Sequence, residues 1–99
     1  MLAMTVLGLV AAFYTVGGDN FVGLSWDQSG NPPIARYVVY RGRGPCSTAI
    51  LSERIRSISV KAYADHSIST GTYCYAAAAI VDGEEAEMSA RVQVIVPVL

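Results

Sequence analysis

Charged residues are scarce in this sequence, and neither sign prevails. Only 15% of the residues are Asp, Glu, Lys or Arg, against about 25% in an ordinary globular domain. Seven basic and eight acidic side chains leave a formal net charge of −1. Such a chain has no field of one sign to attract DNA, RNA or an anionic membrane surface. Nucleic acid is therefore not an expected partner.

Groups suited to catalysis are equally few. The single histidine, His66, stands between Asp65 and Ser67. These are the residue types of a catalytic triad, but consecutive residues point in different directions, whereas a triad is assembled from separate parts of a fold. We expect Asp65 to bond turn amides and His66 to lie in solvent. The chain is not expected to be an enzyme.

Metal and cofactor motifs are also lacking. Only His66 could join the two cysteines, and a structural zinc site normally needs four ligands. The segment 42–47 is rich in glycine but lacks the Gly-Lys-Ser/Thr ending of a phosphate loop. Calcium at the acidic positions is the weaker alternative to a solvated hairpin tip, because no ligand loop surrounds them. We expect no metal and no cofactor; the acidic positions are Asp82, Glu84, Glu85 and Glu87.

One long apolar run is present, from Met1 to Thr15. It is too short for a membrane helix, which needs about 20 residues. No basic residue precedes it and no small-residue cleavage site follows it, which argues against a signal peptide. We expect a first strand over about 5–15 and a turn at 17–20, with an apolar leader remnant as the alternative. Leu7, Leu9, Ala11 and Phe13 would share one face of this strand.

The segment Gly71–Val81 is the clearest strand signal. It opens at a glycine and continues without a charge. With a period of two, Tyr73 and Tyr75 share a face with Ala77 and Ala79, while Cys74, Ala76, Ala78 and Ile80 lie on the other. Both faces are apolar, which predicts a central strand covered on both sides.

The remaining sequence alternates between short strands and turns. Strands are expected at 21–27, 34–41, 59–64 and 88–96, and a hairpin at 81–85. The segment 49–58 is either a short edge strand or an irregular crossing. In the last strand, Ala90, Val92, Val94 and Val96 would share one face, with Arg91 and Gln93 on the other.

Seven strands at this spacing predict an all-β fold, an antiparallel sandwich of two sheets. Ninety-nine residues correspond to one domain, 1–99, with the last strand ending near 97. The expected core contains Leu24, Trp26, Tyr37, Val39, Tyr73 and Tyr75.

Four segments, taken in order, resemble a fibronectin type III domain of the bacterial kind. They are Leu24-Ser25-Trp26, the strand Ile34–Arg41 with its Tyr-Val-Val-Tyr-Arg sequence, Tyr63-Ala64-Asp65, and Gly71-Thr72-Tyr73-Cys74-Tyr75. The resemblance extends from about Thr5 to Pro97. It implies that Trp26 packs between the sheets and that the Tyr73 hydroxyl bonds back to nearby backbone, as in a tyrosine corner. Ser69-Thr70-Gly71 stands where the family has a proline.

The resemblance also brings the two cysteines together. In a sandwich of this type the strand ending at Arg41 pairs with the strand starting at Tyr73, so Cys46 and Cys74 are expected to be close. A disulfide over such a loop would stabilise the fold by about 3–4 kcal/mol. It would imply an oxidising location, such as the cell surface or the extracellular space. Two separate buried thiols are the alternative.

An apolar surplus suggests a contact surface. Hydrophobic residues reach 53% of the chain, so part of the surface is expected to be covered by a protein partner, a neighbouring domain or another copy. Val38, Tyr40, Ala76 and Ala78 lie at outward positions of neighbouring strands, unless a loop folds over them. Arg41 and Arg43 complete this possible interface, because Tyr and Arg often anchor contacts. Donation of the first strand to a neighbour is a further alternative.

These observations favour a non-catalytic structural or binding module of a bacterial extracellular or surface protein. The resemblance implies a spacer, an adhesion element or an accessory domain beside a carbohydrate-active enzyme, which makes carbohydrate a further candidate partner. No membrane insertion is expected. The alternative is a small self-assembling subunit of a phage virion or an extracellular filament.

Overall fold

A computed structural model describes residues 6–28, 36–66, 68–81, 83–86 and 88–98. Within these ranges the chain forms eight strands in two antiparallel sheets and contains no helix. The predicted all-β sandwich is therefore confirmed, with a two-residue strand in addition to the seven expected. The strands are β1 (Val6–Val16), β2 (Asp19–Gln28), β3 (Arg36–Arg43), β4 (Glu53–Ile58), β5 (Ala62–Asp65), β6 (Gly71–Val81), β7 (Glu84–Glu85) and β8 (Val92–Val96).

The first sheet has the strand order β1-β2-β5. β1 and β2 form a hairpin in which Val16 is opposite Asp19. The turn between them consists of Gly17 and Gly18, whose φ angles are 57° and 83°. A two-residue hairpin turn of this kind needs two left-handed residues, which glycine adopts without strain.

β1 departs from the expected alternation near its start. The register between β1 and β2 shifts between Leu7 and Val10. Gly8 lies inside the shift with φ 59°, and the flanking residues Val6 and Leu9 are both buried. This irregularity inserts a residue and reverses the phase of the strand. Leu9, Ala11 and Phe13 face the core as predicted, but Val6 joins them, and the side chain of Leu7 is outside the described part.

The second sheet has the order β4-β3-β6-β7, and β8 pairs with β6. β3 continues to Arg43, which lies opposite Tyr73, so the strand extends two residues beyond the predicted end at Arg41 and into the glycine-rich segment 42–47. The ambiguous segment 49–58 contains an edge strand, β4. The sequence predicts a strand at 59–64. In the structure a bend comes first, and β5 spans Ala62–Asp65. The segment 28–33, between the strands predicted at 21–27 and 34–41, lies mostly outside the described residues.

The last strand is shorter than predicted because Ser89 binds β6 in another way. The Ser89 amide donates to the Ala77 carbonyl over 2.7 Å, and its hydroxyl accepts from the Ala77 amide over 3.0 Å. These two bonds replace ladder pairing, and regular pairing starts only at Val92. Ala90 is consequently exposed and does not share the core face. Val94 and Val96 do lie in the core.

The core fills the space between the two sheets. Trp26 of β2 contacts Tyr37 of β3 edge to face, with 5.6 Å between ring centroids, and so joins the two layers. Such pairs add about 0.5–1.5 kcal/mol beyond the area that they bury. All six residues that the sequence assigns to the core are buried there: Leu24, Trp26, Tyr37, Val39, Tyr73 and Tyr75.

Candidate docking surface

Tyr73, near the start of β6, forms a tyrosine corner with the segment that precedes this strand. Its hydroxyl donates to the Ser69 carbonyl over 2.9 Å, four residues earlier in the chain. The guanidinium of Arg43 lies 5.1 Å from the centre of the ring. The corner therefore forms although Ser69-Thr70-Gly71 replaces the proline of the family pattern.

A polar cluster joins the two sheets at one end of the core. Asp65 of β5 is 2% exposed and accepts from Arg41 of β3 over 2.6 Å and from the Tyr75 hydroxyl over 2.7 Å. Arg41 also binds Glu53 over 2.8 Å. The hydrogen bond to Glu53, together with Asp65, raises the pKa of Arg41. Burial, reinforced by the bond to Asp65, raises the pKa of Tyr75.

Two sequence predictions are wrong at this cluster. Asp65 was expected to bond turn amides, but its carboxylate is an internal acceptor for Arg41 and Tyr75. Arg41 was assigned to an outward interface, but it is paired with Tyr75 on the inner face of the sheet, and its side chain is only 14% exposed. Side chains alternate between the two faces of a strand, so Arg41 lies on the same face as Tyr37 and Val39.

The disulfide between Cys46 and Cys74 is present, with 5.0 Å between the two Cα atoms. It fixes the segment between β3 and β4 onto the outer face of β6. The Arg91 guanidinium donates to the Ala49 carbonyl over 2.8 Å. At Gly42 a Cβ atom would lie 2.3 Å from the Ile50 carbonyl oxygen, so the loop crosses β3 where there is no side chain.

The expected apolar patch on the second sheet is not exposed. Val38 and Ala78 are direct neighbours, as predicted, but they and Ala76 have 0% exposed area. A polar bridge lies over these small residues. The Tyr40 hydroxyl donates to Glu85 over 2.5 Å and accepts from Arg54 over 2.9 Å.

This bridge has to cross β6, because β6 lies between β3 and β7. Tyr40 is opposite Ala76, and Glu85 is opposite Ile80. The bond between Tyr40 and Glu85 therefore passes above Ala78, whose methyl group leaves room for it. The hydrogen bond from Tyr40 lowers the pKa of Glu85, with help from Arg54.

The outer face of the first sheet is the open apolar surface of the described residues. We call it the open face, and it consists of the outward residues of β1, β2 and β5 with His66. Tyr14 of β1 and Val10 are 48% and 59% exposed. The sequence patterns did not identify the open face as a contact surface, although the run Met1–Thr15 would be apolar on both faces of a strand. Its members are Val10, Ala12, Tyr14, Val16, Phe21, Gly23, Ser25, Ala62, Ala64 and His66.

A row of rings crosses the open face. Tyr14 stacks on Phe21 with 5.4 Å between centroids, and Phe21 contacts His66 at 5.1 Å. Tyr14 lies down over Gly23, where a Cβ would be 2.9 Å from the ring. His66 is exposed, as predicted, and its Nδ1 atom is 3.1 Å from Asp19.

A shallow groove of about 330 Å³ adjoins the ring row. Its floor is formed by small residues of β1 and β2, among them Ala12 and Gly23. Ser25 and Tyr14 carry the polar side-chain atoms of the lining. A surface of this composition suits an apolar protein contact better than a polar ligand.

Metal and membrane features are not found in the described part of the chain. No group of three or more His, Cys, Asp or Glu side chains is placed to hold a metal ion there. Within the same ranges, no helix is long and apolar enough to span a membrane.

These elements define a β-sandwich module. No protein-family model matches the sequence, and no curated protein matches it either. Among solved structures, the chain is similar to a Fn3-like protein from Clostridium thermocellum, with a TM-score of 0.71 and 25% identity over 95% of this chain and 93% of that one. The chain therefore has a fold of the fibronectin type III type. Domains of this type typically serve as non-enzymatic modules.

Proposed function

We propose that this domain is a structural and binding module of an extracellular or cell-surface protein, and that its binding contacts are made through the open face. The exposed apolar composition of that face carries the proposal. Single exposed apolar residues are common on proteins, whereas a contiguous exposed patch usually marks an interaction site. The fold alone does not choose between spacer, adhesion and accessory roles.

The disulfide supports the location. Cys46 and Cys74 are joined across 28 positions of sequence, and disulfides persist in oxidising compartments but are rare in the reducing cytosol. Cys74 is fully buried, so the bond is protected by the loop that it anchors.

Fractionation of the producing cells tests the location. An antibody against the chain should detect it in the cell-surface or extracellular fraction. Iodoacetamide added without reductant should leave Cys46 and Cys74 unmodified in that material. Recovery of the chain in the cytosol, with both thiols alkylated, would contradict the proposal.

A self-assembling subunit of a virion or filament is the second candidate. The observation that favours it is the position of β1, which is eleven residues long and lies at the edge of the first sheet. Edge strands offer backbone groups to which another chain can add a strand. Electron microscopy of the concentrated protein separates the candidates, because an assembly subunit forms regular particles or filaments and a module does not.

A further inference from the structure

We infer that β1 pairs with β1 of a second copy of this chain, in antiparallel orientation, so that two domains share one continuous sheet. The inference goes beyond the proposed function, because it uses the free edge of β1 and not the open face. An edge strand carries backbone amides and carbonyls that have no neighbouring strand. Another extended polypeptide supplies donors and acceptors in the matching order, so the occupant of this edge is a β-strand.

The free edge is the side of β1 that faces away from β2, and it presents the backbone of Ala11, Phe13 and Thr15. The turn between β1 and β2 has two residues, and the residues that flank such a turn, Val16 and Asp19, exchange both backbone hydrogen bonds. Bonding then alternates along β1, so the amides and carbonyls of Ala11, Phe13 and Thr15 point away from β2. Within the described part of the chain, none of these three takes part in a backbone hydrogen bond outside the strand ladders.

The bonds on the other side of β2 agree with this phase. The Trp26 amide donates to the Lys61 carbonyl over 3.1 Å, on the side of β5. Even-numbered residues of β2 therefore bond toward β5, and odd-numbered residues bond toward β1. Gly23 lies opposite Ala12, so the backbone of Ala12 is used within the domain, and the backbones of its two neighbours point to the free edge.

Natural sheets protect their edges with charged side chains, short strands or proline, and the other edge strands of this fold have such features. Three of the six residues of β4 are charged, β5 has four residues, and β7 consists of two glutamates. β8 has five residues between Arg91 and Pro97. β1 has eleven residues without a charge or a proline, and its register shift lies near Gly8, away from the free edge at 11–15. Each copy therefore offers one edge suited to pairing, and the assembly closes at two chains.

The geometry of the free edge selects one register. With Phe13 opposite Phe13 of the second copy, Ala11 lies opposite Thr15 on both sides of the axis. These three pairs supply about six backbone hydrogen bonds. A shift of two residues in one direction would place Ala11 opposite the turn residue Gly17, and in the other direction it would place Thr15 opposite Leu9 in the register shift. The register centred on Phe13 therefore uses the free edge completely.

The side chains of β1 suit this pairing. On the outer face, Tyr14 of each copy lies beside Ala12 of the other, which places a large side chain next to a small one. Val10 and Val16 meet at the two ends of the paired segment. Cross-strand pairs of aromatic and β-branched residues stabilise antiparallel sheets, and like charges opposite each other destabilise them. β1 contains no charged residue, so no repulsion opposes its pairing with itself.

The dimer carries its two open faces side by side. The two-fold axis between antiparallel strands is perpendicular to the sheet, so both copies turn the same face outward. Two sheets of three strands become one sheet of six, in the order β5-β2-β1-β1-β2-β5. A contact made by one strand pair is at the small end of protein interfaces, so we expect a dissociation constant of about 0.1–1 mM.

Sedimentation equilibrium of the full chain tests the pairing. Between about 10 µM and 1 mM the average mass should rise from 10.5 kDa toward twice that value, as mass action requires, and should not exceed it.

Two variants of Thr15 place the contact at the free edge. Thr15 is exposed, and its hydroxyl donates to the Asn20 side chain over 2.9 Å. Thr15→Pro removes this hydroxyl together with the outward amide, and an edge strand accepts proline where the amide faces outward. Thr15→Val is the matched control, because it loses the hydroxyl and keeps the amide. Thr15→Val should dimerise like the parent, whereas Thr15→Pro should stay monomeric.

Amide hydrogen exchange of the parent, followed by NMR, tests the same edge without a substitution. The amides of Ala11, Phe13 and Thr15 should exchange about two- to threefold more slowly at about 1 mM than at about 50 µM, given the expected dissociation constant. Ala12 and Tyr14 bond to β2 in every copy, so their exchange should not depend on concentration. This measurement decides the inference even where Thr15→Pro does not fold.

Four results would overturn the inference. They are a monomer across the whole concentration range, an association that Thr15→Pro retains, growth of the mass beyond two chains, and exchange at the free edge that does not depend on concentration. Each of them leaves the binding role of the open face and the cellular location as they stand, because neither depends on the pairing of β1.

Discussion

Asp65 joins the two sheets through a carboxylate that is 3% exposed. Asp65→Asn keeps the shape and an acceptor for Tyr75 but removes the charge that faces Arg41. Breaking a buried ion pair costs about 3–5 kcal/mol, and because Arg41 keeps Glu53 we expect about 2–3 kcal/mol in urea unfolding. Asp27→Asn is the control: its side chain is 78% exposed beside Lys61, so its loss should cost less than about 1 kcal/mol. Equal midpoints for the two variants would show that the buried pair contributes nothing.

Tyrosine side chains make the fold sensitive to alkali. Burial is the main cause that raises the pKa values of Tyr37, Tyr40 and Tyr75 above 10.0. The folded state then keeps protons that the unfolded state releases above about pH 10, so these groups favour folding below that pH and the benefit is lost as the pH rises further.

The expected result is a free energy of unfolding that falls steeply above about pH 10, the ordinary tyrosine pKa. Urea unfolding at a series of pH values measures it, and tyrosinate absorbance should rise together with unfolding. Tyr75→Phe removes one of the contributing groups and should make the fall shallower. If the free energy of unfolding of Tyr75→Phe fell with pH as steeply as that of the parent, Tyr75 would not be one of the contributing groups.

At the scale of elements, β6 is a strand whose outer face is built from small side chains under the Tyr40–Glu85 bond. Ala78→Leu would insert a side chain where that bond crosses. Overpacking of this kind costs about 1–3 kcal/mol, and the bridge to Glu85 would also be displaced. Thermal and urea unfolding should both show the loss. Ala90→Leu, at an exposed position just before β8, should change stability by no more than about 0.5 kcal/mol. Similar stability of the two variants would mean that the space above Ala78 is open.

Strand periodicity predicted most elements, but not their irregularities. β2 and β6 alternate without interruption, so Leu24 and Trp26, and likewise Tyr73 and Tyr75, were assigned to the correct face. β1 contains the register shift at Gly8, which reverses the face of every residue before it. Ser89 forms two hydrogen bonds to Ala77 that no pattern of apolar residues encodes. Such local exceptions depend on contacts with other strands and are invisible in the segment itself.

At the scale of the whole molecule, the apolar surplus was predicted but was assigned to the wrong sheet. Alternation shows that a strand has two apolar faces, as in β1 and β6, but it does not show which outer face a loop will cover. The answer depends on Cys46, which binds the loop to β6, and on Tyr40, which reaches across to Glu85. The outer face of the first sheet has no such cover among the described residues.

The disulfide acts on the whole molecule, because it restricts the conformations that the unfolded chain can adopt. In this respect it differs from a contact that stabilises the folded state. Cys46 and Cys74 are 28 positions apart, and closing a loop of that length stabilises the fold by about 3–4 kcal/mol on the chain-entropy model. A double variant, Cys46→Ser with Cys74→Ala, should lose this amount in guanidinium unfolding. Alanine suits the buried position, where a hydroxyl would lack a partner. Reductant should lower the stability of the parent to that of the variant and leave the variant unchanged. A difference below about 1 kcal/mol would show that closing this loop in the unfolded chain contributes little to the stability of the fold.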